Sequence, residues 1–143
     1  MTETLLALDY GRARIGVAVG NRLTGSAQPL EPVDGRDEQR ALGAVEALIR
    51  EWRARVVVVG LPLGLDGNET PMTGLAREFA GQLEERCGVT VHLHDERLTS
   101  REAEARFAQA RADQRMRRRD RRLLDSMAAG LILESWMAAP GQG

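Results

Sequence analysis

The sequence predicts an α/β fold: a mixed five-stranded sheet, three antiparallel strands and then two parallel ones, with helices on both faces. Three observations predict it. The apolar runs LLALD and IGVAVG flank a Gly-Arg-Ala-Arg turn, which is the pattern of a hairpin. A segment of helical period, DEQRALGAVEALIREWR, leads into the uninterrupted β-branched run VVVVGLP, as suits a strand covered on both faces. A second helical segment leads into VTVHLHDER, which alternates as a strand does.

Taken in order, strands are expected over residues 4–9 and 15–20, and a third over about Ala27–Val33. Prolines at both ends confine that third strand to an edge or a short length. Helical spacing of Leu42, Val45, Leu48, Ile49 and Trp52 predicts a helix over 37–53. The loop LGLDGNET ends at Thr70-Pro71, an N-cap followed by proline at the first helical position, and opens a helix to about Arg86. Thr99 with Glu102 suggests a capping box for a helix near 100–111. Residues 112–120 read as an Arg-rich mobile loop, 121–138 as the last helix, and 139–143 as a flexible tail beyond a single domain of residues 1–138. The order β-β-β-α-β-α-β-α-α makes the first strands zigzag and lets the later ones join in parallel.

The 143 residues suffice for one domain with a real core. The net charge of −1 announces no nucleic-acid partner, but its distribution is uneven. Arg97 to Arg122 hold ten arginines against four carboxylates, a local +6 that leaves −7 for the rest. Such a run is either a solvated face or a surface for an anionic partner. Lysine is absent, which removes a P-loop or Schiff-base lysine. Cys87 stands alone, so an intrachain disulfide or a thiolate cluster is ruled out. MTETLLALDYG lacks the basic and long apolar regions of a signal peptide, and no stretch reaches the roughly 20 apolar residues of a membrane span. A cytoplasmic protein is the expectation.

The carboxylates carry the chemistry. Asp9 ends the first strand, either as the start of an Asx-type turn or as a catalytic group. Asp95 and Glu96 end another strand, where open α/β sheets place ligands. Neighbouring strand residues face opposite ways, so only one of these two joins Asp9. The alternative is surface pairing with Arg97 or Arg101. On a wheel of about 100° per residue, Asp125 shares an arc with Leu124, Ala128, Ala129, Leu131, Ile132 and Trp136, opposite Ser126, Gly130 and Glu134. A carboxylate on a core-facing stripe needs a partner, either a buried Arg or a shared metal ion. His92 and His94 have no third histidine and read as structural. Mg²⁺ and Mn²⁺ favour oxygen ligands, and carboxylates from two strand ends and one helix fit either ion.

The blocks LALDYGRARIGVAVGN, VVGLPLGLDGNET, VHLHDERLTS and LLDSMAAGLILESWM resemble the successive signatures of the YqgF family, from about Leu5 to Met137. These are RuvC-like proteins described as candidate Holliday-junction resolvases and linked to processing of the 5′ end of precursor 16S rRNA. The resemblance implies a ribonuclease H-like fold and a divalent-metal nuclease using Mg²⁺ or Mn²⁺. The family's strand-one aspartate matches Asp9, the acid of its DER-L-T block matches Glu96 with Asp95 as the alternative, and its last-helix aspartate matches Asp125. A second last-helix carboxylate, common in RuvC-type enzymes, has only Asp120 as a counterpart.

The expected reaction is therefore phosphodiester hydrolysis with Asp9, Glu96 and Asp125 as catalytic metal ligands. Arg12, Arg14, Arg97, Arg106, Arg111, Arg115, Arg117 and Arg118 are candidates to hold backbone phosphates. Asn68, Thr70 and their loop amides either face a phosphate or shape the strand exit. Five aromatics, Tyr10 beside Asp9 among them, are too few for a base-stacking platform. The expected partner is structured RNA or branched DNA, bound by a monomer or a C2 homodimer. Two rival readings are a non-catalytic RNA-binding assembly factor and an actin-like ATP-binding domain, the latter from the D-x-G hairpin.

Overall fold

The computed structural model describes residues 4–96, 105, 109 and 118–139, of which 118–122 are described as backbone only. Its elements are β1 (Thr4–Asp9), β2 (Arg14–Asn21), β3 (Ser26–Asp34), α1 (Glu38–Trp52), β4 (Val56–Leu61), α2 (Pro71–Cys87), β5 (Thr90–Asp95) and α3 (Arg118–Ala138).

The strands lie in the order β3-β2-β1-β4-β5. β1, β2 and β3 pair antiparallel, while β1–β4 and β4–β5 are parallel, as the predicted element order requires. Short turns reverse the chain twice; each helix then returns it so that the next strand runs with β1. β1 thus sits centrally and is covered on both faces. Leu6, Leu8, Val17, Val57 and Val59 pack against Val45, Ile49, Phe79 and Leu83 of α1 and α2. Leu5, Ala7, Ala18 and Val58 pack against Ala129, Ile132, Leu133 and Trp136 of α3. β3 is the edge strand expected from its prolines.

The predicted Thr70-Pro71 start of α2 forms, and further caps accompany it. Asp37 accepts a hydrogen bond from the Arg40 N–H at the start of α1, and Thr70 makes a reciprocal capping box with Thr73 ahead of Pro71. Gly88 closes α2 in the left-handed conformation at φ 68°.

Two expectations about the last helix are corrected. Residues 118–120 are helical, so α3 starts before position 121. Its rotation also differs: Ser126 and Gly130 are buried, whereas Asp125, Leu124 and Leu131 are only partly so. The cause lies in the sheet. β2 presents Gly16, Ala18 and Gly20 to α3. A Cβ on Gly16 would meet the Asp125 carbonyl, Gly130 lies over Ala18, and a Cβ on Gly20 would meet Leu133. α3 therefore runs along β2 in the same direction and turns small residues toward small residues. A wheel weighted by side-chain polarity does not register that constraint. The helix and capping box expected near 99–111 lie outside the described residues, apart from Ala105 and Gln109, which are helical.

Gly16→Ala should cost about 2 kcal/mol or more in urea unfolding, because the new methyl meets backbone. Gly81→Ala, in α2 with open space around it, should instead gain about 0.5–1 kcal/mol.

Candidate active site

Asp9 ends β1 on the face covered by α3, since Leu5 and Ala7 point that way and side chains alternate. Its two register partners are both glycines, Gly16 on β2 and Gly60 on β4. Register partners share a face, so Asp9 is flanked by two positions without side chains. Other groups fill the space they leave. The backbone of Asp125 lies where a Gly16 Cβ would be, and the Glu96 carboxylate comes within 2.9 Å of where a Gly60 Cβ would be. Two missing side chains thus bring a carboxylate from β5's end and one from α3 to either side of Asp9.

The consequence is electrostatic. The Asp9 carboxyl is pushed up to about 8, first by burial, then by its hydrogen bond with Glu96, then by the charges of Glu96 and Asp125. A hydrogen bond between two carboxyl groups requires a proton on one of them. Asp125 leans elsewhere: its Oδ2 lies 3.4 Å from Arg14 Nε, in a pair whose side chains are 40% and 47% exposed. The buried Ser126 Oγ accepts the Val17 N–H at 3.0 Å and fastens α3 to β2 beside Asp125.

Carboxylates from β1, the end of β5 and α3 thus lie near one another at the carboxyl edge of the parallel strands, where open α/β sheets hold ligands. The donors are all hard oxygens, and burial of two of them in contact calls for a cation, so the set fits Mg²⁺ or Mn²⁺. Among the described residues no three Asp, Glu, His or Cys side chains are already gathered as a ligand group, since Asp125 is turned to Arg14.

A family model described as "RuvX: Holliday junction resolvase" matches residues 3–139. The chain belongs to the RuvX family. Relatives from Salmonella paratyphi B and Salmonella typhi, each named "Putative pre-16S rRNA nuclease", are 43% identical over 136 residues, covering 95% of this chain and 96% of theirs. Thermus thermophilus RuvC in complex with a Holliday junction substrate superposes with a TM-score of 0.55 at 19% identity, over 90% of each chain. A second T. thermophilus RuvC structure gives 0.54 at 16%, over 90% of this chain and 92% of the other. At such identities the likeness is one of fold, and it agrees with the ribonuclease H-like sheet implied by the signature blocks.

The register of this RuvX chain separates Asp95 from Glu96. Asp95 pairs with Leu61, one position past the Gly60–His94 pair, so it points to the face away from Asp9, whereas Glu96 points to the Asp9 side. Tyr10 likewise turns away and packs on Phe79 at 5.2 Å. His94 is buried beside Ser135 Oγ at 3.1 Å, and burial holds it below the usual histidine range; His92 stacks on Trp136. Both histidines have the structural surroundings expected of them. Asn68 donates to Asp66, and Thr70 caps α2, so both side chains take part in shaping the loop. Arg12 and Arg14 are both exposed, and Arg14 reaches Asp125. Arg97, Arg106, Arg111, Arg115 and Arg117 lie outside the described residues, and Arg118 opens α3. Sequence reasoning missed Ser126 and Gly16. Counting outward from the hairpin turn pairs Asp9 with Gly16, a signal that was there to be read.

The Asp9 shift has a definite sign. Its contribution to stability is present in full below the unfolded value of 3.8 and is lost as pH rises through about 8. Thermal unfolding of the EDTA-treated protein should therefore move to lower temperature between about pH 5 and pH 8. Asp9→Asn should flatten that slope and raise the midpoint at the alkaline end. Ser126→Ala, which leaves the buried Val17 N–H without its partner, should cost about 1–3 kcal/mol in urea unfolding.

Proposed function

We propose that this chain is a divalent-metal-dependent nuclease that hydrolyses phosphodiester bonds, with Asp9, Glu96 and Asp125 as the residues that hold Mg²⁺ or Mn²⁺. The observation that carries the reading is Asp9 set between two glycines, with Glu96 hydrogen-bonded to it and the Asp125 backbone filling the other gap. A bound divalent ion would supply the positive charge that makes water a nucleophile near neutral pH and stabilises the leaving oxygen. Asp9 must then give up its proton, which its raised value makes easy only when positive charge arrives. Ser126 keeps Asp125 in place through α3, and Gly16 and Gly60 keep the gaps open.

Substrate phosphates would be held by Arg12 and Arg14 at the rim and by the Arg-rich segment 97–122. Contacts of this kind read backbone shape and not base sequence, so binding should weaken steeply with salt. Asp95 lies on the other face and serves no part of this mechanism. The relatives' name favours precursor 16S rRNA as substrate, and the family description favours a four-way DNA junction. Symmetric cutting of a junction would need two copies of the site and hence a C2 pair. No described helix is long and apolar enough to cross a membrane.

The test is cleavage of labelled precursor 16S rRNA, single-stranded RNA and a four-way junction with Mn²⁺, Mg²⁺ or EDTA. Cutting should require metal, and Asp9→Asn, Glu96→Gln and Asp125→Asn should each lower it at least about a hundredfold. Equal cutting by Asp125→Asn would remove that residue from the site. An Asp9→Asn protein that still supports rRNA maturation in cells would favour the non-catalytic assembly factor.

A further inference from the structure

The Arg14–Asp125 pair is placed where two functions meet. Arg14 begins β2 on the same face as Gly16, and its guanidinium lies on the one carboxylate of the three that is not buried against Asp9. On its other side Arg14 lines an open cleft of about 460 Å³ with Ala13, Pro32, Asp34 and Arg36. The cleft carries two guanidinium groups against one carboxylate, Asp34, and Arg36 Nε lies 3.8 Å from it. Once Arg14 is released from Asp125, a backbone phosphate lying there would meet two guanidinium groups against one carboxylate.

A guanidinium and a divalent cation cannot both be close partners of the same Asp125 oxygen without repelling each other. The pair is about half exposed, so solvent screens it and parting it costs little. From this placement we infer that Arg14 is an exchangeable cation. It holds Asp125 while the site is free of metal, and it passes to a backbone phosphate in the Arg36 cleft when a divalent ion takes Asp125. Metal binding and nucleic-acid binding are then coupled: each frees the partner that the other needs, and the coupling runs equally in both directions. The inference rests on the nuclease reading above, and it assigns Arg14 a role in metal loading that differs from simple phosphate contact.

Two measurements on the full chain test it without relying on cleavage. In calorimetric titration with Mn²⁺, Arg14→Ala and the longer Arg14→Gln should bind about three- to tenfold tighter than wild type. Arg36→Ala should leave Mn²⁺ affinity unchanged. In fluorescence anisotropy with a short labelled single-stranded RNA, checked intact by gel, replacing EDTA with Ca²⁺ should tighten binding by wild type. That gain should largely vanish in Arg14→Ala. Unchanged or weaker Mn²⁺ binding by both Arg14 variants would overturn the exchange. If Asp125→Asn still lost Mn²⁺ in that case, the metal site itself would stand. If wild type bound no Mn²⁺ at all, the nuclease reading and the exchange would fall together.

Discussion

The hydrogen bond between Asp9 and Glu96 sets the terms for everything around it. Two acidic side chains brought together out of water cannot both be charged without cost; burial first, and then Glu96 beside it, holds the Asp9 carboxyl well above the usual carboxylate range. The chain accepts this cost at the end of the central strand of its sheet. Leu6, Ala7 and Leu8 are fully enclosed, so the backbone that carries Asp9 has no freedom to relieve the strain by moving. A rigid central strand, paired on both sides, is what makes a repulsive arrangement durable.

Space for that arrangement comes from residues that contribute no side chain. Gly16 and Gly60 flank Asp9 in register; α3 reaches into both gaps, with the Asp125 backbone at one and Ile132 at the other, where Glu96 joins it. Gly16 lets the backbone of α3 settle on β2, where Ser126 takes the Val17 N–H. That N–H lies beside the irregularity in the β2–β3 pairing between Ile15 and Val17. A break in the ladder thus coincides with the place where the helix supplies a hydrogen bond. The same contact that completes the backbone's hydrogen bonding also fixes the height of Asp125 over the sheet.

The site also sorts its charges by depth. The Asp9–Glu96 pair lies inside, the Arg14–Asp125 pair is half exposed, and Arg36 beside Arg14 is exposed. Electrostatic interactions are strong inside and weak outside, so the inner pair feels its neighbours' charge far more than the outer groups do.

The sequence by itself determined the order and type of the described elements, the N-cap of α2 and the family, and it singled out Asp9, Glu96 and Asp125 as candidates. Each of these is local: periodicity, cap chemistry and signature blocks are complete within about ten to twenty residues. Tertiary structure decided what depended on distant partners. The choice of Glu96 over Asp95 follows from the β4–β5 register. The rotation of α3, which buries Ser126 and leaves Asp125 partly exposed, follows from the small residues of β2 more than a hundred positions earlier. The ion pair of Asp125 with Arg14 follows from the same rotation. A helical wheel sees only its own helix, whereas the face that a helix buries is set by the surface it meets.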